Sequence, residues 1–264
     1  MDRRNNSYRN LVKKALLGDP ILIFFDTETV GLKPHDQIIE FSAIVAKIEH
    51  DPFRLKQIDS CVVYIKPEFP VSNKIENLTG ITNAFLEKYP KEKEASFQIF
   101  EFLQKYPGTM VGYNVTFDML KMEGLYLRQR GISFGRNNID VLEMAKDCVP
   151  SAPNYKLESI AKILDCIPEG TFHDAYADTQ ATMGIFLKCI EIYNSSYKKE
   201  NNKMDCFVKY AYFWKNPKQG KMQRIICDTS LGRFFYDTVS RQWGIRQADI
   251  KEYGFDIQLS LIHI

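Results

Sequence analysis

Residues 21–29, ILIFFDTET, limit the fold more than any other stretch of this chain. Five apolar residues run into Asp26 without alternation. A strand that is apolar on both faces must be covered on both, so it belongs in the middle of a sheet layered between helices. Yet it ends on Asp26 and Glu28, two residues apart, whose side chains project to one face. Carboxylates held together at the mouth of a core repel each other and lose hydration. A divalent cation between them relieves both costs, and oxygen ligands of this kind suit Mg²⁺ or Mn²⁺ better than zinc. The plainer alternative is a strand end with solvated acids.

The pattern around this strand predicts an α/β layered domain. Strand-like runs fall at 21–27, 37–48 and 58–66, punctuated by Gly31, Pro34, Asp51 and Pro52. A short amphipathic helix is expected at 8–17, stopped by Gly18 and Pro20. Helical periodicity recurs at about 82–88, 92–105, 115–130, 139–147, 156–164 and 174–192. A short apolar run, 109–114, ends in Asn114. Residues 194–206, NSSYKKENNKMDC, read as a linker, so the first domain is expected over 1–193. Beyond it, aromatic and β-branched runs separated by turn signals predict a small antiparallel β unit over 207–256, followed by a tail, 257–264.

Charge adds little overall: the formal net charge is +2. Locally, residues 203–251 carry ten Lys/Arg against four Asp, a difference of +6. That asymmetry fits either a basic binding patch or an unevenly charged solvated surface. The six cysteines (61, 148, 166, 189, 206 and 227) form no CxxC pair and have no zinc spacing with histidine. Reduced thiols in a cytoplasmic protein are the expectation. The first twenty residues lack the apolar core of a signal peptide, and no apolar run approaches a membrane span.

Two further acidic sites accompany Asp26 and Glu28. In GYNVTFDML (112–120), Asn114 is expected as a helix N-cap, with Asp118 in the first turns of the helix. Taken alone, an Asp there is commonly a partner of the helix dipole. In TFHDAYADTQ (171–180), His173 and Asp178 are five residues apart, about 140° off one face of an ideal helix. They converge only if His173 precedes the helix, with Asp174 able to cap it.

DTE (26–28), NxxFD (114–118) and HxAxxD (173–178), in that order, resemble the three motifs of the DEDDh, or DnaQ-like, 3′→5′ exonucleases. The branch they resemble is that of the proofreading epsilon subunit of bacterial DNA polymerase III. IIEFSAI (38–44) is similar to the family's second strand, and NLTGIT (77–82) to its "HGIT" element with Leu78 in place of His. IDVLEMAK (139–146) and YKLESIAKIL (155–164) resemble the segment before the third motif. The likeness covers residues 20 to 190, roughly.

The resemblance implies a ribonuclease-H-like fold: a mixed five-stranded sheet flanked by helices. It implies two Mg²⁺ or Mn²⁺ ions, with Asp26 bridging both, Glu28 and Asp178 completing the first site and Asp118 supporting the second. His173 would take a proton from the attacking water, a task that suits a base titrating near neutrality. Two cations roughly 3.5–4 Å apart clamp the attacking and leaving oxygens of a phosphodiester. The implied product is a nucleoside 5′-monophosphate. The implied contacts to the terminal nucleotide fall on Thr27, Thr29 and Leu32, with Asn114 a cap that could also touch substrate. Phe117 reads as core rather than a stacking platform, and Asp174, Asp140 and Glu123 as structural or solvated. The implied substrate is the 3′ end of DNA, single-stranded or frayed, in proofreading or repair, with trimming of RNA 3′ ends as the rival. A further rival is a non-catalytic docking module on the same fold.

The 207–256 unit interleaves aromatics with Lys and Arg, a composition shared by single-strand stacking platforms and by the cores of small sheets. Gln258–Ile262, QLSLI, resembles the peptide by which bacterial replication proteins bind the sliding clamp. Gln258, Leu259, Leu261 and Ile262 would make the contacts, Ile262 standing where Phe is usual. A sliding clamp and a DNA polymerase are thus the expected partners; the alternative is a final strand.

Overall fold

The computed structural model describes Val12, residues 21–50 and 53–201, and the backbone of four later strands. The first unit carries strands β1 (Ile21–Thr29), β2 (Ile38–His50), β3 (Phe53–Tyr64), β4 (Thr109–Gly112) and β5 (Asn138–Asp140). Its helices are α1 (Asn73–Thr79), α2 (Asn83–Leu86), α3 (Glu92–Lys105), α4 (Thr116–Arg130), α5 (Val141–Cys148), α6 (Leu157–Ile163) and α7 (Ala175–Asn201). The strands form one mixed sheet in the order β3-β2-β1-β4-β5, so the apolar strand is central.

Both faces of β1 are buried, as its lack of alternation predicts: Leu22 to Phe25 are fully inaccessible. Leu22 and Phe24 pack among side chains of α5, α6 and α7, with the Phe24 and Phe186 rings edge to face at 5.4 Å. Ile23 and Phe25 pack on the opposite face among side chains of α3 and α4. β1 runs antiparallel to β2 and parallel to β4. The sheet therefore changes sense at β1, and the carboxyl ends of β1 and β4 are where α/β folds place their ligands.

Helix α3 shows how burial selects the pattern here. Ala95, Ile99 and Leu103 fall one turn apart on its inner face and are inaccessible. Glu92 in its first turn is also buried, and accepts hydrogen bonds from Arg128 Nε (2.8 Å) and Nη2 (3.0 Å), Gln129 Nε2 (2.8 Å) and Gln37 Nε2 (2.9 Å). Burial alone would raise its pKa; the Arg128 and Gln129 bonds outweigh it and hold the carboxyl below its ordinary range. Glu92→Ala strands a half-buried guanidinium and two amides, and a loss of about 3 kcal/mol is expected in urea unfolding. A loss within ~0.5 kcal/mol would show the network to be ornamental.

Several expected boundaries move. β3 begins at Phe53 rather than 58, because it pairs with the whole of β2 from Glu40↔Tyr64 to His50↔Phe53. The segment around NLTGIT holds an unforeseen helix, α1, capped by Ser72 and closed by Gly80 in the left-handed region (φ 75°). Residues 138–140 are strand before α5 begins, pairing with β4. Helix α7 runs on to Asn201, so the first half of the expected linker is helical; 193–201 contains neither Gly nor Pro to stop it. The expected helix at 8–17 lies outside the described residues except for Val12, which packs into the core beside β1.

The chain divides into two compact units near Ser195. The second holds a four-stranded antiparallel sheet of β6 (Val208–Lys215), β7 (Met222–Thr229), β8 (Gly232–Asp237) and β9 (Gln242–Ile245), in that order. The clamp-like stretch 258–262 lies outside the described residues. Among those described, no helix is long and apolar enough to cross a membrane.

Candidate active site

The alternation of β1 sends Asp26 and Glu28 to the same face as Leu22 and Phe24, the face that α7 covers. Helix α7 carries its buried stripe through Asp178, Ala181, Thr182 and Ile185. An acid on the core-facing stripe of that helix is thereby delivered to the end of β1. Asp174 caps α7, its Oδ1 accepting the Ala177 N–H at 2.9 Å. His173 stands ahead of the helix in a left-handed conformation (φ 72°), uncommon for a residue other than glycine. This turn points its N–H at Asp178 Oδ2 (3.2 Å) and leaves its ring exposed. Side-chain ligand atoms of Glu28, His173 and Asp178 lie within 4.8 Å of one another.

Asp118 arrives from the opposite layer. It is buried in the first turn of α4, and its Oδ1 accepts both the N–H (3.0 Å) and the hydroxyl (2.6 Å) of Thr27. Thr27 points away from Asp26 and Glu28 by alternation, so the DTE triplet holds the third acid with its middle residue. Both Thr27 donors are thus engaged by Asp118. Thr29 is likewise buried, its hydroxyl donated to the Gly31 carbonyl (2.8 Å).

Asn114 is not the N-cap of α4. It sits at φ 59° and donates its N–H to Asp140 Oδ1 (3.0 Å), and the helix begins after Val115 with no side-chain cap. Asn tolerates the left-handed region better than most residues, which explains the residue type as well as capping would. Asp140 also caps α5 through Leu142 N–H (2.9 Å), Asp174 caps α7, and Glu123 accepts from Phe134 N–H (2.7 Å). All three acids serve structure. Phe117 is half-buried with the Lys121 ammonium 4.8 Å from its ring centroid, and Leu32 is 82% exposed.

One acid escaped sequence reasoning. Glu40 pairs directly with Glu28 across β1 and β2, next to a register shift at Glu28/Thr29. It is 1% exposed; its Oε2 accepts from Ala175 N–H (3.4 Å) at the start of α7, and Tyr64 donates its hydroxyl to the same carboxyl. The only available signal was the antiparallel pairing of IIEFSAI with β1, which needs the register.

Five acids therefore crowd one place, and their electrostatics show it. Burial, then the charges of Asp118, Glu28, Asp178 and Glu40, push Asp26 well above the carboxyl range. Burial and the neighbouring Asp178 and Glu40 push Glu28 up to about 8. Burial takes Glu40 to about 7 against the Tyr64 bond, Asp118 to about 7 against its Thr27 bonds, and Asp178 to about 6 against the His173 N–H. Asp178 Oδ1 and Glu40 Oε1 are buried without a hydrogen-bond partner. Unpaired carboxylate oxygens cost free energy unless a cation meets them, so the donor set fits a hard divalent ion.

A mixed sheet of this order, with acids gathered where its central strand ends, defines the ribonuclease-H-like class of fold. The chain belongs to the RNase T exonuclease family, whose model matches residues 23–186. Relatives include the PolC-type DNA polymerase III of Caldanaerobacter subterraneus subsp. tengcongensis, 28% identical over 170 residues, and that of Thermotoga maritima, 30% identical over 185 residues. These matches cover 64% and 70% of this chain but only 11% and 13% of the relatives, so the chain spans a small part of their length. Similar folds include E. coli exonuclease I in complex with a dT13 oligonucleotide (TM-score 0.55, 20% identity, 82% of this chain and 55% of that one). A product-bound exonuclease I is similar at TM-score 0.55 with 17% identity, over 89% of this chain and 68% of that one.

Proposed function

We propose that this chain is a metal-dependent 3′→5′ exonuclease that hydrolyses phosphodiesters at DNA 3′ ends and releases nucleoside 5′-monophosphates. The observation that carries the reading is the meeting of half-buried Asp26 and Glu28 with buried Asp118 and Asp178, mutually repelling, beside an exposed histidine. Asp26, Glu28, Asp118 and Asp178 would hold two Mg²⁺ or Mn²⁺ ions, and the chemistry supplied there would be Lewis acidity toward the phosphate and the attacking water. Thr27 keeps Asp118 turned toward the site. The left-handed turn at 173 presents the His173 ring to solvent, where an imidazole nitrogen takes the proton from the attacking water. Leu32, exposed beyond the first motif, offers an apolar contact to the terminal nucleotide. The polymerase III and exonuclease I relationships favour DNA over RNA, and a replication or repair setting in the bacterial cytoplasm. The QLSLI stretch adds a sliding clamp as a tether that would raise the local concentration at a primer end.

The test is digestion of 5′-labelled single-stranded DNA, a mismatched primer–template and RNA of the same sequence, with Mg²⁺, Mn²⁺ or chelator. A ladder shortening from the 3′ end of DNA, abolished by chelation, is expected. Preference for RNA would move the substrate class, and no cleavage of any of them would leave a docking module. His173→Gln is expected to lower kcat on DNA about a hundredfold or more. A kcat within about twofold of wild type would remove His173 from proton transfer.

A further inference from the structure

Lys121 is 1% exposed, and no ion pair to it forms among the described residues. Its ammonium donates to two backbone carbonyls, Gly31 and Lys33, each at 2.6 Å. Leu32 is the residue between them. Burying an ammonium against two carbonyls and the face of the Phe117 ring, with no carboxylate bonded to it, costs several kcal/mol before its bonds offset part of it, and an apolar residue would serve the core better.

The same stripe of α4 grips the loop twice more. Gly124, one turn on, lets the Pro34 carbonyl approach so closely that a Cβ would stand 2.9 Å from its oxygen. Arg128, a further turn on, donates Nη1 to the His35 carbonyl (3.2 Å) while its other nitrogens hold Glu92. The loop from 31 to 35 is thus lashed by its backbone to the helix that carries Asp118, while the side chains of residues 32–35 face solvent; among them Leu32, 82% exposed, is the large apolar one. A large apolar residue held out by a buried charge is poor economy for folding and good preorganisation for a ligand.

We propose that Lys121 is a positioning residue, which with Gly124 and Arg128 pins the 31–35 loop to α4 and so fixes Leu32 as a rigid apolar wedge for the terminal nucleotide. The inference rests on the nuclease reading and adds the device that sets substrate affinity. Lys121→Met keeps the length of the stem and removes the two bonds.

The experiment compares wild type, Lys121→Met, Leu32→Ala and the double variant, full chain, in Mn²⁺. Substrates are a single-stranded oligonucleotide and bis(p-nitrophenyl) phosphate, a phosphodiester with neither base nor sugar. Lys121→Met is expected to raise KM for the oligonucleotide about tenfold with kcat within about twofold, and to leave the small diester unaffected. Leu32→Ala is expected to raise the same KM, and the double variant no further than the larger single effect. Gly124→Ala, which pushes on Pro34, is expected to raise KM as well. Equal losses on both substrates, additive effects, or a change in Mn²⁺ affinity without a change in KM would overturn the proposal. A wild type inert on both substrates would sink the nuclease reading itself, and the wedge with it.

Discussion

Asp26→Asn is expected to lower DNA hydrolysis by about three orders of magnitude or more and, in the same protein, to raise the melting temperature of the metal-free chain. The loss follows from position. Asp26 feels the charges of Asp118, Glu28, Asp178 and Glu40, so it stands within reach of every other acid of the cluster. On the proposed metal-dependent reading, removing this carboxylate forfeits about 4 kcal/mol of transition-state stabilisation, at about 1.4 kcal/mol for each tenfold in rate. The gain follows from crowding. An amide takes the place of a carboxyl that burial and four like charges disfavour, and each ~1 kcal/mol so recovered raises Tm by about 2–4 °C for a domain of this size. Activity and stability moving in opposite directions mark a site kept for function. Single-turnover cleavage and a thermal melt at pH 8 in chelator are the measurements. Retained activity would remove Asp26 from the metal site, and a lowered Tm would show that it stabilises the fold.

The metal-free chain is also expected to lose stability as pH rises from about 4.5 to about 8. These acids ionise near 4 in the unfolded chain. In the fold Asp178, Asp118, Glu40 and Glu28 hold their protons to about 6, 7, 7 and 8. Between those limits the native state binds more protons than the unfolded one, so stability falls with rising pH. Metal reverses the slope. A cation must displace these protons, so its affinity grows with pH, and only the native state gathers the ligands. At a hundred times its Kd, Mn²⁺ contributes about 2.7 kcal/mol. A rise in Tm of about 5–10 °C is therefore expected at pH 8 and a smaller one at pH 5. A melting temperature flat from pH 5 to 8 and indifferent to Mn²⁺ would mean that the carboxyls are not the crowded set described.

Much of this was legible along the chain, for reasons that separate local from distant causes. ILIFF lacks alternation, and that alone makes it a central strand. DTE puts two acids on one face because strand geometry leaves no choice. The five-residue spacing of His173 and Asp178 demands a residue ahead of the helix, and the left-handed turn at 173 supplies it. The misreadings share a physical origin in contacts made across the sheet or between layers. Asn114 has the chemistry of a cap, but its N–H is drawn to Asp140, twenty-six residues on. The hold of Thr27 on Asp118 is invisible until the fold brings the two together from ninety-one residues apart. Glu40 looks like an ordinary strand acid until the β1–β2 register sets it opposite Glu28. Lys121 looks like a solvated helix lysine, because only the loop folded over α4 buries it. The helix α1 was hidden by shortness, its pattern spanning under two turns.

The place of β1 in the sheet has one more consequence. A strand hydrogen-bonded on both sides and covered on both faces exchanges its amide hydrogens only when the whole domain opens, whereas edges and termini open by fraying. The repulsion between Asp26 and Glu28 is set at the end of that least yielding segment, just past the residues paired on both sides. Ion binding there reaches every amide that exchanges through global opening, so occupancy of a site a few ångströms across would slow solvent exchange throughout the slowest core of the domain, far beyond the residues that touch the ion.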